Sequence, residues 1–245
     1  MKRIYLFLTL MLLLSSFNAS AQFGKKLVGN NKYVTITKET SDFSHLVVWP
    51  KVNVYYKVNP DSVGKIRIHG EENVIHLLDF SIKKNRLEIS FINNMPVDYG
   101  YITIHVYSSG LSEASVEGSG VLELQNSIKT PDLKLGVGGG GQIIAKDIQV
   151  QSIKLHLAGS GDMLLNGHAN TGSYTIAGSG DIRAKKLEVE DLSTKTAGSG
   201  NIFCYASKNL KSRIVGSGSV FYYGKPQVKE TIIGSGVVGP IPDNQ

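Results

Sequence analysis

The chain has 245 residues, with 26 Lys plus Arg against 20 Asp plus Glu, a net charge of +6, 41% hydrophobic residues and one cysteine. The positive charges are spread along the chain without a basic block, which argues for solubility and against a nucleic-acid-binding face. A lone Cys204 excludes an internal disulfide, so stability has to come from packing and backbone pairing.

At the amino end, Lys2 and Arg3 precede an apolar run from Ile4 to Leu14, and the segment closes on Ala19-Ser20-Ala21. This is the three-part layout of a cleaved export signal over residues 1–21. The apolar run is short of the ~20 residues needed to span a bilayer, and no later stretch is long and apolar enough to do so. Residues 22–40 read as a lead-in, 41–240 as a single β-rich domain and 241–245 as a tail.

From residue 23 to 110 the runs "KYVTITKE", "LVVWPKVNVYYKV", "KIRIHG", "RLEISFI" and "YITIHVY" are β-branched and aromatic. Turn formers such as Asn59-Pro60-Asp61 and Asn93-Asn94 separate them, so each run is a predicted strand. Residues 71–84, "EENVIHLLDFSIKK", are expected to hold one short helix, with Glu71 and Glu72 at its favourable amino end, that caps the first turn of the fold.

From residue 111 onward a repeat takes over. Paired glycines flank one residue at Gly118 and Gly120, Gly139 and Gly141, Gly159 and Gly161, Gly178 and Gly180, Gly198 and Gly200, Gly216 and Gly218, and Gly234 and Gly236, in steps of 18 to 21. Two places before each first glycine stand Val116, Val137, Leu157, Ile176, Thr196, Ile214 and Ile232. Two places after each last glycine stand Leu122, Ile143, Met163, Ile182, Ile202, Val220 and Val238. Period-two alternation on both sides of a glycine corner marks strands with one buried face. All fourteen glycines are expected to be structural corners, supplying the backbone angles and the missing side chain of a sharp bend. No single unit can bury its inner face alone, so the units are expected to stack as rungs of a parallel β-helix, or β-solenoid, of about 20 residues per rung with strands ~4.8 Å apart. Gly239-Pro240-Ile241-Pro242 ends the pairing.

The serial "EGSGVLEL", "AGSGDMLL", "AGSGDIRA", "AGSGNIFC" and "VGSGSVFY", the closing "YYGKPQVKETIIGSGVV" and the lead-in "FSHLVVWPKVNVYYKV" and "KKNRLEISF" resemble the family described as putative auto-transporter adhesin, head GIN domain. The resemblance covers roughly residues 40 to 240. It implies a right-handed parallel β-helix and an exported bacterial protein, and it carries no catalytic activity with it.

The residues after each last glycine, Gln142, Asp162, Asp181, Asn201 and Ser219, invite comparison with calcium-binding β-rolls. Those rolls repeat every nine residues, whereas this period is twenty, and a solvent-facing ladder of hydrogen-bonding side chains is the expected role. Asp162 and Asp181 fall on adjacent rungs with Arg183 beside them, the makings of a carbohydrate-active site. Neighbouring rungs, however, put carboxylates nearer ~5 Å than the ~6.5 to 9.5 Å that houses a water between them. The six histidines show no metal-ligand spacing, and Cys204 falls on an inward position. No catalytic residue, cofactor or metal is therefore assigned.

The outward position between the inward ones reads Glu123, Ile144, Leu164, Arg183, Phe203, Phe221, an apolar column broken by Arg183. Ile144, Leu164, Phe203 and Phe221 are the candidate partner-binding residues, and Phe203, Tyr205, Phe221, Tyr222 and Tyr223 form a candidate stacking platform. The expectation is an exported, non-enzymatic solenoid presenting a repeat surface to a glycan or protein partner at the cell envelope. The alternatives are a carbohydrate-active enzyme using Asp162, Asp181 and Arg183, or a purely structural periplasmic protein.

Overall fold

The computed structural model describes residues 26–92 and 97–241. The expected export signal, Asn93-Asn94 and Pro242 lie outside the described residues. The runs picked out before residue 110 form β2 (Tyr33–Glu39), β3 (His45–Val48), β4 (Asn53–Val58), β5 (Lys65–Glu71), β7 (Arg86–Phe91) and β9 (Thr103–Ser108), and the structure adds β1 (Leu27–Val28), β6 (Leu78–Lys83) and β8 (Val97–Asp98), which were not expected. The repeat region supplies β10 (Glu113–Val116), β11 (Val121–Leu124), β12 (Ile128–Gly139), β13 (Gln142–Gly159), β14 (Asp162–Gly178), β15 (Asp181–Gly198), β16 (Ile202–Gly216), β17 (Val220–Tyr223), β18 (Gln227–Gly234) and β19 (Val238–Pro240).

The repeat strands pair in parallel, each with the next rung, and register keeps like positions aligned: Ile143 lies on Met163, Met163 on Ile182 and Ile182 on Ile202. Alternation sends every second residue into one continuous core, where these four side chains are fully buried. Burying each such side chain is worth about 1.5 to 3 kcal/mol, so the stacked columns are the main source of stability. A rung is one long strand bent between corners. In β13 and β14 the pairing shifts after Ala145, which marks the bend. The expected β-solenoid is the observed fold.

The glycine corners have a two-part reason. Gly178, the first of its pair, has φ +138°, and its carbonyl accepts N–H bonds from Ser199 and Gly200 of the next rung, each at 3.0 Å. Gly180, the second, leaves no room: a Cβ there would lie 1.9 Å from the Gly161 carbonyl oxygen and 2.9 Å from Leu157 Cδ2. The first glycine supplies a backbone conformation that L side chains rarely adopt, and the second lets successive rungs touch backbone to backbone.

This division refines the expectation that the corner glycines supply both the backbone angles and the missing side chain of a bend. The second glycines Gly120, Gly141, Gly161, Gly180, Gly200, Gly218 and Gly236 are not among the positive-φ residues, and neither is Gly118, the first glycine of the earliest pair. What these positions require is the missing side chain. A Cβ would run into a backbone carbonyl oxygen of the neighbouring rung: that of Trp49 for Gly118, Pro50 for Gly120, Gly120 for Gly141, Gly200 for Gly218 and Gly218 for Gly236. The spacing of the glycines is the same for both kinds, so the sequence could not tell a conformational demand from a steric one.

The rungs do not follow chain order at the amino end. β3 and β4 pair on one side with β10 and β11, and on the other with β7 and β9. Residues 45–58 are thus the second rung in space, inserted between the later segments 86–108 and 113–124. The chain passes back over them at Ser109 to Ser112. Asp42 secures this crossing by accepting from the Ser109 backbone N–H at 3.1 Å and from the Ser109 hydroxyl, while Ser112 N–H donates to the Ser44 carbonyl at 2.9 Å. Beneath it Tyr56 and Ser108 hydroxyls bond at 2.6 Å, and burial pushes the Tyr56 phenol up to about 12 against the lowering effect of that bond.

Antiparallel strands close this end: β5 on β9, β2 on β5, and β6 on β7. The short helix expected within 71–84 is a single turn, α1 (Glu72–Ile75), and from Leu78 the sequence alternates and joins the cap as β6. Val74 and Ile75 are fully buried in the end of the core. Glu71, 2% exposed, accepts from the backbone N–H groups of Asn31 (2.8 Å) and Gly100 (2.9 Å), tying the first cap strand to the loop before β9. The carboxy-terminal end has no such cover among the described residues: β18 pairs only with β16 and β19 only with β17. Pairing runs on into the segment expected to end it, with Gly239 opposite Phe221, Pro240 opposite Tyr222 and the Ile241 N–H donating to the Tyr222 carbonyl at 2.9 Å.

Candidate binding face

The side chains that follow each Gly-Ser-Gly build a ladder down one edge of the solenoid. Asp162 Oδ1 accepts from Asp181 N–H (3.3 Å), Asp181 Oδ1 from Asn201 N–H (3.0 Å), Asn201 Oδ1 from Ser219 N–H (3.1 Å) and Ser219 Oγ from Val237 N–H (3.3 Å). Each polar side chain caps a backbone donor of the following rung at the corner, where the strand ladder is interrupted. Arg183 reaches both carboxylates, Asp162 at 3.3 Å and Asp181 at 2.9 Å. The three residues of the carbohydrate-active alternative are therefore together, but three of the four carboxylate oxygens are already engaged, two of them bridging rungs and the third held by Arg183 on the same strand. Among the described residues no cluster of three or more His, Cys, Asp or Glu side chains is arranged to hold a metal.

One step along the strands lies the outward column. Register places Glu123 on Ile144, Ile144 on Leu164, Leu164 on Arg183, Arg183 on Phe203 and Phe203 on Phe221. The sequence-predicted residues Ile144, Leu164, Phe203 and Phe221 thus form one row at rung spacing. The Phe203 and Phe221 rings stack, with centroids 5.5 Å apart and planes 22° from parallel, and Leu164 is 43% exposed. Tyr205 and Tyr223 pair in register beside them. Tyr222 is the correction to the aromatic platform: it lies below Cys204 in an inward column and packs against the core. Cys204 is fully buried, and burial pushes its thiol up to about 12, as its inward place implied.

Sequence reasoning stopped the row at Glu123, but the structure extends it. Above Glu123 come Tyr55, His105 and Arg67. Tyr55 and His105 stack with centroids 5.1 Å apart. Burial lowers the His105 pKa, and the charges of Arg67 and Lys57 lower it further. These residues were invisible as a column because the rungs that carry them are out of chain order. Only the alternating "NVYYKV" and "TIHVYS" runs hinted that Tyr55 and His105 face outward.

Solved structures share this architecture. A putative adhesin from Bacteroides fragilis NCTC 9343 aligns over 88% of this chain and all of its own, with TM-score 0.82 and 24% identity. A putative lipid binding protein from Parabacteroides distasonis ATCC 8503 aligns over 89% of this chain and all of its own, with TM-score 0.76 and 26% identity. A putative adhesin from Parabacteroides merdae ATCC 43184 gives TM-score 0.71 at 23% identity over 89% of this chain and all of its own. No curated protein matches. The family model described as putative auto-transporter adhesin, head GIN domain, matches residues 42–226, and with the corners, ladder and stacked core of that span in view, the chain belongs to this family.

Proposed function

We propose that the chain is an exported, non-catalytic scaffold whose outward row from Ile144 to Phe221 docks a protein partner of the cell envelope. The carrying observation is the row itself: apolar and aromatic side chains in register on a rigid sheet, with the stacked Phe203–Phe221 pair at one end. Aromatic residues and arginine are enriched where proteins meet, and a preformed sheet loses little entropy on binding. The scaffold reading is supported over the enzyme reading by the engagement of Asp162 and Asp181 with Arg183 and with backbone donors. The apolar run 4–14 supports export, and the adhesin names of family and relatives agree with it.

Two experiments test it. Protease shaving of intact cells, with a periplasmic protein as control, should remove the chain while the control survives. Protection until the outer membrane is opened would point to the structural periplasmic alternative. Cosedimentation of the purified chain with envelope fractions should be weakened roughly 10- to 100-fold by Phe203→Ala with Phe221→Ala, the range for losing two anchor residues, with circular dichroism unchanged. Undiminished binding would remove this face from consideration. The lipid-binding name of one relative makes protein-free vesicles the necessary control, since a lipid ligand would be retained by them.

A further inference from the structure

A different face of the solenoid carries a trough of about 490 Å³. Its floor is a column of small side chains in register across three rungs, Val47 on Ser115 and Ser115 on Gly136. The column continues to Glu88 at one end and His156 at the other, four rung steps apart, or ~19 Å. A Cβ on Gly136 would meet only Ser115 Cβ at 3.3 Å and the His156 carbonyl oxygen at 3.9 Å, so glycine there keeps the trough open rather than answering a backbone demand.

The walls differ in kind. On one side Glu113 sits between Arg86 (3.6 Å) and Lys134 (3.9 Å), with Lys154 the next rung along. On the other stand Glu117 and Trp49, a residue 50% exposed although tryptophan is the side chain with most apolar area to hide. Over the whole trough the three cations Arg86, Lys134 and Lys154 are matched by the three carboxylates Glu88, Glu113 and Glu117, so a charged ligand meets no net charge, yet donors and acceptors are present along its length.

We infer that this trough binds an uncharged, hydroxyl-rich glycan chain lying along the solenoid axis, with one sugar ring stacked on Trp49. The indole face offers C–H contact to a pyranose, while Glu88, Glu117, Lys154 and His156 are placed to exchange hydrogen bonds with hydroxyls. The ~4.8 Å rung spacing is comparable with the advance of one sugar unit, so each ring meets a fresh rung. Nothing in this site depends on the Phe203–Phe221 row.

Trp49 is the only tryptophan, so its fluorescence reports the site directly. Titration of the folded chain with cellohexaose and with chitohexaose should give a saturable change for at least one of them. Gly136→Leu, which fills the floor and retains Trp49, should weaken it roughly tenfold or more. Trp49→Ala, an exposed position read by calorimetry, should do the same, while Phe203→Ala with Phe221→Ala leaves the affinity unchanged. No saturable change with either sugar overturns the inference, as does wild-type affinity in both Gly136→Leu and Trp49→Ala. Preference for a sulfated hexasaccharide that fades with added salt, or binding of an envelope protein at Trp49 with no sugar response, overturns it too.

Discussion

At the scale of the residue, the corner glycines do two unlike jobs, and substitution should separate them from a third position that does neither. Gly180→Ala would put a methyl group 1.9 Å from the Gly161 carbonyl oxygen, against backbone that can yield only by separating two rungs. We expect a loss of about 3 kcal/mol, at the upper end of overpacking costs, read as a lowered urea midpoint. Gly140 occupies the place where other corners have serine, and a Cβ there meets nothing within 4 Å. Gly140→Ala should therefore be neutral or gain about 0.4 to 1 kcal/mol by restricting the unfolded chain. Equal effects at the two positions would mean that the corners are not close-packed.

At the scale of the element, the segment that crosses back over the inserted rung depends on one exposed carboxylate. Burial alone would raise the Asp42 pKa, but hydrogen bonds from the Ser109 hydroxyl and the Ser109 and Phe43 backbone N–H groups outweigh it and lower the value below 3.8. A carboxyl with a depressed folded pKa contributes stability that is fully present above the unfolded value and is lost as pH falls through the folded one. Asp42→Asn should thus lower the urea midpoint modestly at pH 7, with the gap to wild type closing below about pH 3.8. A gap that persists unchanged at low pH would show that the crossing is held by other contacts.

For the whole molecule, the two ends of the stack are unequal. Antiparallel cap strands and α1 cover one end, while among the described residues β18 leaves an unpaired edge at the other, with Val228 39%, Ile232 36% and Ile233 57% exposed. Glu230 lies in register below Ser212, which is itself below Thr194, so a charge occupies an inward column on the last rung. An inward-pointing charge on an edge strand obstructs end-to-end pairing of sheets. Glu230→Val should convert this edge to an apolar template and cause concentration-dependent self-association, measured by analytical ultracentrifugation. A variant that stays as dispersed as wild type would assign edge protection to Pro226 and Pro240 instead.

The sequence alone determined the solenoid, because its two signals are local: alternation of apolar residues decides which side chains enter the core, and a glycine corner every 18 to 21 residues decides where each rung turns. From those the Asp162–Asp181–Asn201–Ser219 ladder and the Ile144–Phe221 row follow by register. Tertiary structure decided what depends on non-neighbouring segments. The insertion of residues 45–58 between two later rungs, the pairing of β6 with β7 after the one-turn helix and the extension of the row through Tyr55 and His105 all require pairings across the chain. So does the steric role of the second corner glycines, which exists only once another rung lies against them. The Trp49 trough is of the same kind: Ser115 and Gly136 in its floor are one repeat apart, but no period in the sequence brings Val47 and Trp49 beside them, because rung order at the capped end is set by strand pairing rather than by position along the chain.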